Sequence, residues 1–200
     1  NMDSDQDHAL LHLIARITAK EFYSRNLETE LKEIIHQRDS IVKDKFYELA
    51  EEAEILDIDA EIQYDTFFRM AANKMSPSLS MTPHKIYNLL LEREASSSTI
   101  ITPVVAIPHI IIDGENKFRL LIARSKQGIK FPFDDSCVKA VFVLFGTRDQ
   151  RNLHLKALAA IAQIIRNRNF LNDWLTAKNK ESLRDIVLLG ERFHCKKEEK

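Results

Sequence analysis

Three short runs of β-branched and aromatic residues lie in the middle of this chain, and segments with helical spacing precede and follow them. The runs are residues 104–107, 118–123 and 138–145. Turn signals at Asp113-Gly114 and Gln127-Gly128 separate them, so each run is predicted to be a strand. Strands flanked on both sides by helices are typical of a sheet covered by helices, and the sequence therefore predicts an α/β fold with a mixed sheet.

The helical segments are recognised by apolar residues that recur every three or four positions. Two of them precede the predicted strands, and Ser76-Pro77-Ser78 is expected to form the turn between them. The others follow the last strand and complete the helical layer. The predicted helices cover residues 64–75, 83–94, 153–165, 170–177 and 181–189.

The first part of the chain carries a different pattern, which predicts a helical hairpin or a long-helix extension. One amphipathic segment covers residues 7–23, and a second covers residues 27–49 without a Gly or Pro. The apolar stripe of the second helix can pack against the first helix, the following domain or a second copy of the chain, and we expect a homodimer through it. The stripe consists of Leu31, Ile34, Ile35, Val42, Phe46 and Leu49.

An acidic stretch at residues 51–61 marks the change from this extension to the α/β part, and a domain boundary is expected near Asp57. The predicted organisation is a helical connector over residues 1–57, an α/β domain over residues 58–190 and a charged tail over residues 191–200. The tail is expected to be frayed, and no function is assigned to it.

Composition argues against several classes of function. The 29 Lys and Arg residues are balanced by 30 Asp and Glu, so no basic field attracts nucleic acid. Cys137 and Cys195 lie far apart, which argues against a disulfide framework and a cysteine zinc site. No apolar run approaches the roughly 20 residues that span a bilayer, and a cytoplasmic location is expected. Asn1 before Met2 is an unusual natural start and is compatible with a piece of a longer protein.

His109 is the strongest candidate for chemistry among the seven histidines. It follows Ile107-Pro108 at the end of an apolar run, where the proline ends ladder pairing and the side chain is presented at a sheet edge. An imidazole that is neutral near pH 7 can attack an electrophilic phosphorus. Taken alone, the local sequence favours the plainer interpretation of a buried, hydrogen-bonded histidine.

Arg93 ends a predicted helix, and a polar loop over residues 96–99 follows it. Together they offer a guanidinium and several hydroxyl donors to phosphate oxygens, with Ser98 and Thr99 as the candidate phosphate-binding residues. A solvent-facing arginine without such a role is equally consistent with this pattern.

His154 is predicted to lie in the first turn of a helix that begins near residues 149–152. The positive end of the helix dipole disfavours an imidazolium there and favours a nearby anion, so a neutral His154 can donate one hydrogen bond. With His109 and Arg93 it makes a plausible set for phosphoryl transfer, in which His109 receives the group and the other two stabilise its oxygens. A metal site at the two histidines is the weaker interpretation, because the other carboxylates are generic, and no metal or cofactor is expected.

Four segments between Tyr64 and Leu189 carry a specific resemblance when they are taken in order. They are LLEREASSST, AIPH, FRLLIARSKQGIKFP and VKAVFVLFGTRDQRNLHLKALAAIAQII. These segments resemble the EIIA domain of the fructose/mannitol-type phosphotransferase system, including its nitrogen-regulatory branch. The resemblance implies an α/β sandwich around a mixed sheet. It also implies that His109 is the phosphoryl-accepting histidine, Arg93 the active-site arginine and His154 the second active-site histidine.

The function implied by this resemblance is that of a phosphoryl carrier, an EIIA-type phosphotransferase if active. His109 would accept phosphate from an HPr-like phosphocarrier and relay it to an EIIB-type partner or use it as a signal. The family usually has a glycine-rich segment before this histidine, whereas residues 99–105 contain no glycine and include Pro103, which lacks an amide. The alternative function is a regulatory binding module that controls an attached or partner membrane transporter without turnover.

Residues 8–57 lie outside the usual EIIA domain and carry a second resemblance. The segment HQRDSIVKDKFYELAEEAEILDI, followed by an EIIA-like domain, resembles the cytoplasmic tails of certain bacterial secondary transporters. This resemblance implies that the N-terminal helices connect a preceding transporter to the EIIA-like domain.

Overall fold

The computed structural model describes residues 43–132, 136–190 and 192. Within them, seven strands form one mixed sheet, and six α-helices pack against it. The strands are β1 (Glu54–Ile58), β2 (Ile62–Gln63), β3 (Ile100–Thr102), β4 (Val105–Ala106), β5 (His109–Ile111), β6 (Phe118–Lys130) and β7 (Cys137–Gly146). The helices are α1 (Lys45–Glu51), α2 (Tyr64–Leu79), α3 (Pro83–Ser96), α4 (Arg151–Ile165), α5 (Phe170–Thr176) and α6 (Lys180–Leu188), and a 3-10 turn (Arg148–Gln150) precedes α4.

The long hairpin of β6 and β7 is the centre of the sheet. The strand order is β1-β6-β7-β4-β3, with β2 beside β6 and β5 beside β7. β1 and β2 run parallel to β6, and β4 and β5 run parallel to β7. The β6–β7 and β3–β4 pairs are antiparallel. The predicted mixed sheet flanked by helices is therefore confirmed.

The central strands are covered on both faces, which explains why their sequence is almost continuously apolar. β7 is buried from Ala140 to its end. Val141 and Val143 belong to the core cluster that includes α2 and α3. On the other face, the ring of Phe142 lies 5.6 Å from that of Trp174 in α5. The helices thus form two layers with the sheet between them.

The turn predicted at Ser76-Pro77-Ser78 is wrong, because α2 continues through these residues to Leu79. The helix ends at Ser80, whose φ of 53° is left-handed, and the amide of Met81 donates to the carbonyl of Ser76. Pro77 removes one helical hydrogen bond in the last turn only. Burial of Leu79, which is 1% exposed, favours the longer helix.

Gln127-Gly128 does not separate two strands either. β6 continues through a register shift between Arg124 and Ile129. Gly128 has a φ of 112°, and a Cβ at this position would lie 2.0 Å from Sγ of Cys137, so a larger residue does not fit. The other turn signal, at Gly114, does lie between two strands.

The uninterrupted helix predicted over residues 27–49 is wrong for the part that the structure describes. α1 begins only at Lys45, because the side chain of Asp44 caps its first turn. Phe46 and Leu49 are 2% and 7% exposed, and α1 packs against α4, α6 and β6. These two residues of the predicted dimerisation stripe are therefore buried in the domain. The first predicted helix and the rest of the stripe lie outside the described residues.

Arginines from the C-terminal part of the chain hold both ends of α1. Arg184 donates to the carbonyls of Ala50 and Ala53, both at 3.0 Å. Arg192 contacts both carboxylate oxygens of Asp44 at 2.9 Å. The helix that leads into the sheet is thus fixed to α6 by Arg184 and to the segment after α6 by Arg192.

The compact unit that contains the sheet begins at Lys43. The boundary expected near Asp57 falls inside β1, which pairs with β6 along its whole length. Ile55 and Ile58 are its buried residues, and the acidic side chains occupy partly exposed positions, which gives the segment the composition of a linker. No helix among the described residues is long and apolar enough to cross a membrane.

Candidate functional site

His109 is the first residue of β5 and follows Pro108 directly. The carbonyl of Pro108 accepts a hydrogen bond from the amide of Leu144 at 2.9 Å, and β5 then pairs with the end of β7. β4, which precedes the proline, pairs with an earlier part of β7. Pro108 therefore lies between β4 and β5, and both of these strands pair with β7. The structure places the histidine at the start of the second strand, rather than at the end of the first as predicted.

The two ring nitrogens of His109 have different partners. Nε of Arg93 donates to Nε2 over 3.2 Å, and Nδ1 lies 3.3 Å from the carbonyl oxygen of Ile107. A guanidinium only donates and a carbonyl only accepts, so these contacts assign the ring proton to Nδ1 and a lone pair to Nε2. Nε2 is therefore the nucleophilic atom of a neutral imidazole.

Arg93 lies in the last turn of α3, and the loop that follows folds back onto it. Its Nη1 donates to the carbonyl and to the hydroxyl of Ser97, at 3.0 and 2.9 Å. Among the residues that the structure describes, none accepts a hydrogen bond from Nη2. The guanidinium is thus oriented by its own loop and retains donors for a ligand.

His154 lies in the first turn of α4, as the sequence predicts. Its ring centroid is 5.0 Å from that of His109, and the two ring planes meet at 80°. The ring of Phe118 makes an edge-to-face contact with that of His154, with a centroid distance of 5.8 Å. Gly146 leaves room for this arrangement, because a Cβ there would lie 2.7 Å from the ring of Phe118. The structure thus brings the two histidines and Arg93 together.

Asp149 fixes the turn that leads into α4 and so helps to place His154. Its carboxylate accepts hydrogen bonds from the amide of Asn116 at 2.9 Å and from the side chain of Gln150 at 2.8 Å. Hydrogen bonds from Thr147, Gln150 and Asn116 lower the pKa of Asp149 to about 2. The loop between β5 and β6 is thereby tied to the start of α4.

Both site histidines have a pKa below the ordinary value of 6.5. Burial is the main cause of the lowered pKa of His109, and the charge of Arg93 adds to it, whereas the contact with Ile107 opposes it. The pKa of His154 is lowered by burial first, then by His109 and Arg93. Both imidazoles are therefore neutral at pH 7, and His109 keeps the lone pair on Nε2 that accepts the hydrogen bond from Arg93.

Of the two hydroxyl residues selected from the sequence, Thr99 donates its hydroxyl proton to another residue, whereas Ser98 acts as an acceptor through Oγ. Thr99 is 2% exposed, and its hydroxyl donates to Oε2 of Glu94 at 2.6 Å. Ser98 is exposed, and its Oγ accepts a hydrogen bond from the amide of Ile100. Ser97 is the residue of this loop that contacts Arg93, and sequence analysis did not select it. Its position four residues after the arginine is the signal that could have identified it.

Across the described parts of the chain, no group of three or more His, Cys, Asp or Glu side chains converges on one point. The guanidinium of Arg93 also occupies the lone pair of His109 that a cation would need.

A neutral imidazole with a lone pair on Nε2, a guanidinium with unused donors and a second neutral imidazole lie together in an α/β domain, and groups of this kind can interact with an anion. The chain matches the model of the family described as phosphoenolpyruvate-dependent sugar phosphotransferase system, EIIA 2, over residues 50–189. The protein belongs to this family, and the resemblance described from its sequence is confirmed.

Curated relatives include both sugar-specific and regulatory proteins. A fructose-specific EIIA component from Haloferax volcanii is 29% identical over 99 residues, which are 49% of this chain and 64% of the relative. A fructose-specific EIIABC component from Bacillus subtilis is 28% identical over 49% of this chain and 16% of its own length. A nitrogen regulatory protein from Bradyrhizobium diazoefficiens is 28% identical over 59% of this chain and 78% of the relative. The chain thus spans less than two thirds of the first two.

Solved structures share the fold at lower identity. Nitrogen regulatory protein IIA-Ntr from Neisseria meningitidis aligns with a TM-score of 0.61 and 22% identity, covering 70% of this chain and 94% of that one. IIA mannitol from Escherichia coli aligns with a TM-score of 0.56 and 13% identity, covering 67% and 95%. The described domain therefore has the fold of these IIA proteins.

Proposed function

We propose that His109 accepts a phosphoryl group from the phosphohistidine of an HPr-like phosphocarrier in the cytoplasm. The group is then relayed to an EIIB-type partner or held as a regulatory signal. The observation that carries this proposal is the pair of contacts that leaves the proton of His109 on Nδ1 and its lone pair on Nε2, beside Arg93. Relatives named as a fructose-specific EIIA component and as a nitrogen regulatory protein support the two uses of the phosphate.

In the proposed transfer, the lone pair of His109 Nε2 forms a bond to phosphorus while the bond between phosphorus and the carrier's ring nitrogen breaks. The carrier's nitrogen keeps the electron pair of the broken bond. No proton has to leave His109, because Nδ1 keeps its hydrogen at the carbonyl of Ile107. That carbonyl then stabilises the positive charge that the ring acquires as Nε2 becomes bonded to phosphorus.

Arg93 has two positions in this proposal. Before transfer its Nε lies on the lone pair of His109, and the incoming phosphorus displaces it from there. Nη1 remains on Ser97, so the guanidinium stays at the site, and Nε and Nη2 become available to the phosphoryl oxygens. A small movement of one side chain therefore exchanges a contact with the nucleophile for contacts with the transferred group.

His154 complements the arginine as a second donor near His109. Its ring lies edge-on to that of His109, and its lowered pKa keeps it neutral at pH 7. A neutral imidazole still has one N–H, which can donate to a phosphoryl oxygen. The N-terminal position on α4 favours the negative charge of the bound group.

A regulatory binding module that controls an attached or partner membrane transporter is the second candidate function. It is favoured by the segment before His109, which forms the β3–β4 hairpin in place of the family's glycine-rich segment. The carbonyl of Val104 accepts hydrogen bonds from the amides of Lys139 and Ala140, at 2.8 and 3.0 Å, which fixes the hairpin to β7. Ile101, the middle residue of β3 in this hairpin, is 56% exposed and offers apolar area to a partner.

Self-association through the N-terminal stripe is part of the proposal, now restricted to Leu31, Ile34, Ile35 and Val42. Phe46 and Leu49 cannot contribute while they are buried in the domain. The mass of the whole chain in solution at high concentration decides this point. A dimer that Ile35→Lys dissociates is expected, and a strictly monomeric chain would contradict it.

The phosphocarrier function is tested with phosphoenolpyruvate, enzyme I and an HPr-type carrier. Acid-labile phosphate is expected on the wild type and absent from His109→Ala. His84→Ala is the matched control, because His84 is an exposed residue at the start of α3 and should leave labelling unchanged. If cognate carriers leave the wild type unlabelled, the carrier function is wrong and the regulatory module remains.

A further inference from the structure

Glu94 is a carboxyl group buried behind the site. It follows Arg93 in α3, and successive residues of a helix project about 100° apart, so the two side chains leave the helix in different directions. Glu94 is 1% exposed, whereas Arg93 is only partly buried. A buried carboxyl is costly to desolvate, so its contacts require an explanation.

Both hydrogen bonds that this carboxyl accepts from the described part of the chain come from one residue, Thr99. The hydroxyl of Thr99 donates to Oε2 at 2.6 Å, and its amide donates to Oε1 at 3.3 Å. A two-point contact fixes the orientation of Thr99 as well as its position. Glu94 therefore anchors the end of the loop that follows α3.

Thr99 is connected to the two groups that contact the ring of His109, the carbonyl of Ile107 and the guanidinium of Arg93. Its carbonyl accepts a hydrogen bond from the amide of Ile107 at 2.9 Å, and the carbonyl of Ile107 contacts Nδ1 of His109. In the other direction, Ser97 lies two residues before Thr99 and holds the guanidinium of Arg93. One anchored residue thus connects to both partners of the histidine ring.

We propose that Glu94 is a positioning residue that sets the tautomer of His109 and the orientation of Arg93 through Thr99. Its effect on phosphoryl transfer rests on the proposed function, whereas its effect on the tautomer does not. The inference predicts that removal of the Glu94–Thr99 contact lets the Ile107 carbonyl shift and allows the ring proton to occupy Nε2. A ring with its proton on Nε2 has no lone pair at the proposed acceptor atom.

The test removes the contact with two substitutions made together. Glu94→Leu combined with Thr99→Val replaces the hydroxyl and the carboxylate by apolar side chains, so the amide of residue 99 is the one buried group that loses its partner in this contact. Thr99→Ser keeps the hydroxyl and should behave as the wild type. Thr102→Val is the matched control for the same chemical change, because the buried Thr102 hydroxyl has no hydrogen-bond partner among the described residues.

Two readouts separate positioning from a merely structural role. Nitrogen-15 spectra of labelled histidine report which ring nitrogen of His109 carries the proton. The double variant is expected to show a mixture of tautomers and an initial rate of phosphorylation about tenfold lower than that of the wild type. Thr99→Ser and Thr102→Val are expected to keep the wild-type tautomer and rate.

A folded double variant with the wild-type tautomer and rate would overturn the inference. If the double variant does not fold, Thr99→Val alone is compared with Thr99→Ser, and equal tautomer populations in these two overturn it as well. If the wild type accepts no phosphate, the proposed function has failed, and the tautomer comparison alone then decides whether Glu94 positions His109.

Discussion

Nε of Arg93 donates a hydrogen bond to Nε2 of His109 over 3.2 Å. The arginine therefore lies on the ring atom that the proposed chemistry requires to be free. The contact keeps the lone pair of a neutral imidazole pointed at a cationic group, and that group can transfer to phosphoryl oxygens when phosphorus arrives. The same residue thus orients the nucleophile before the transfer and stabilises the charge that develops during it.

Replacement of Arg93 should slow the transfer more than it affects the fold. Arg93→Ala is expected to lower the initial rate of phosphorylation about 100-fold, the effect of losing one strong donor to a developing charge. Arg93→Lys keeps the charge but not the fork of donors, so it should recover only part of the rate. Arg69→Lys, on the exposed face of α2, serves as the control. Wild-type rates in both Arg93 variants would exclude the role given to this residue.

His154 is expected to contribute one hydrogen bond to the phosphoryl group. His154→Leu should reduce the rate about tenfold, which corresponds to one hydrogen bond to a charged group, and His154→Gln should retain part of the rate because it keeps a donor. The measurement is the single-turnover rate from the phosphorylated carrier. Equal rates for His154→Leu and the wild type would show that the ring only packs against its neighbours.

The lowered pKa of His109 predicts a specific pH dependence. Because the neutral form persists to lower pH, the phosphorylation rate should decline at a lower pH than it would for an imidazole with the ordinary pKa of 6.5. Arg93→Ala removes one cause of the lowered pKa, so the decline should move to higher pH. Nitrogen-15 titration of the ring measures both values directly. Titration of the wild-type ring above pH 6.5 would contradict the assignment.

The lowered pKa values of His109 and His154 also make the stability of the fold depend on pH. The unfolded chain binds protons near pH 6.5, whereas the folded site resists protonation until a lower pH. The free energy of unfolding should therefore fall as the pH decreases below 6.5 through the folded pKa values, and His109→Asn should reduce this dependence.

Arg124 is expected to stabilise the fold without affecting the chemistry. Its guanidinium is 1% exposed, contacts Asp57 of β1 at 2.7 Å and donates to the carbonyls of Trp174 and Ala177 at the end of α5. Arg124→Met should cost about 3 kcal/mol, because it leaves the buried partners unpaired. Urea unfolding measures the loss, and the phosphorylation rate per folded molecule should not change. A loss below about 0.5 kcal/mol, the size of an ordinary surface substitution, would contradict this account.

Regular periodicity explains which elements sequence analysis could predict. α4, α5 and α6 begin within two residues of their predicted starts, because each carries an uninterrupted helical pattern. The sequence does not predict β1, because acidic residues occupy its partly exposed positions. It does not predict β5 either, because three residues are too few to show an alternating pattern. The local preferences of Pro77 and Gly128 predict turns, because they do not reveal the helix and the register shift that tertiary packing imposes.

The site could be predicted only in part, for a related reason. His109, Arg93 and His154 were selected because residue type and motif identify them, and the structure brings them together. The residues that hold the site in place are not predicted from the sequence. Ser97 accepts hydrogen bonds from Arg93 through its carbonyl and its hydroxyl, and the buried Glu94 accepts a hydrogen bond from Thr99. Such contacts depend on side-chain direction, which periodicity does not encode.

The central claim concerns one atom, Nε2 of His109, and correlation of phosphorus-31 with nitrogen-15 in the phosphorylated, histidine-labelled protein tests it most directly. We expect one phosphohistidine signal, with phosphorus coupled to Nε2 of His109 and a proton still on Nδ1. Phosphorus on Nδ1, phosphate on another residue, or a protein that takes up no phosphate from cognate carriers would contradict the account.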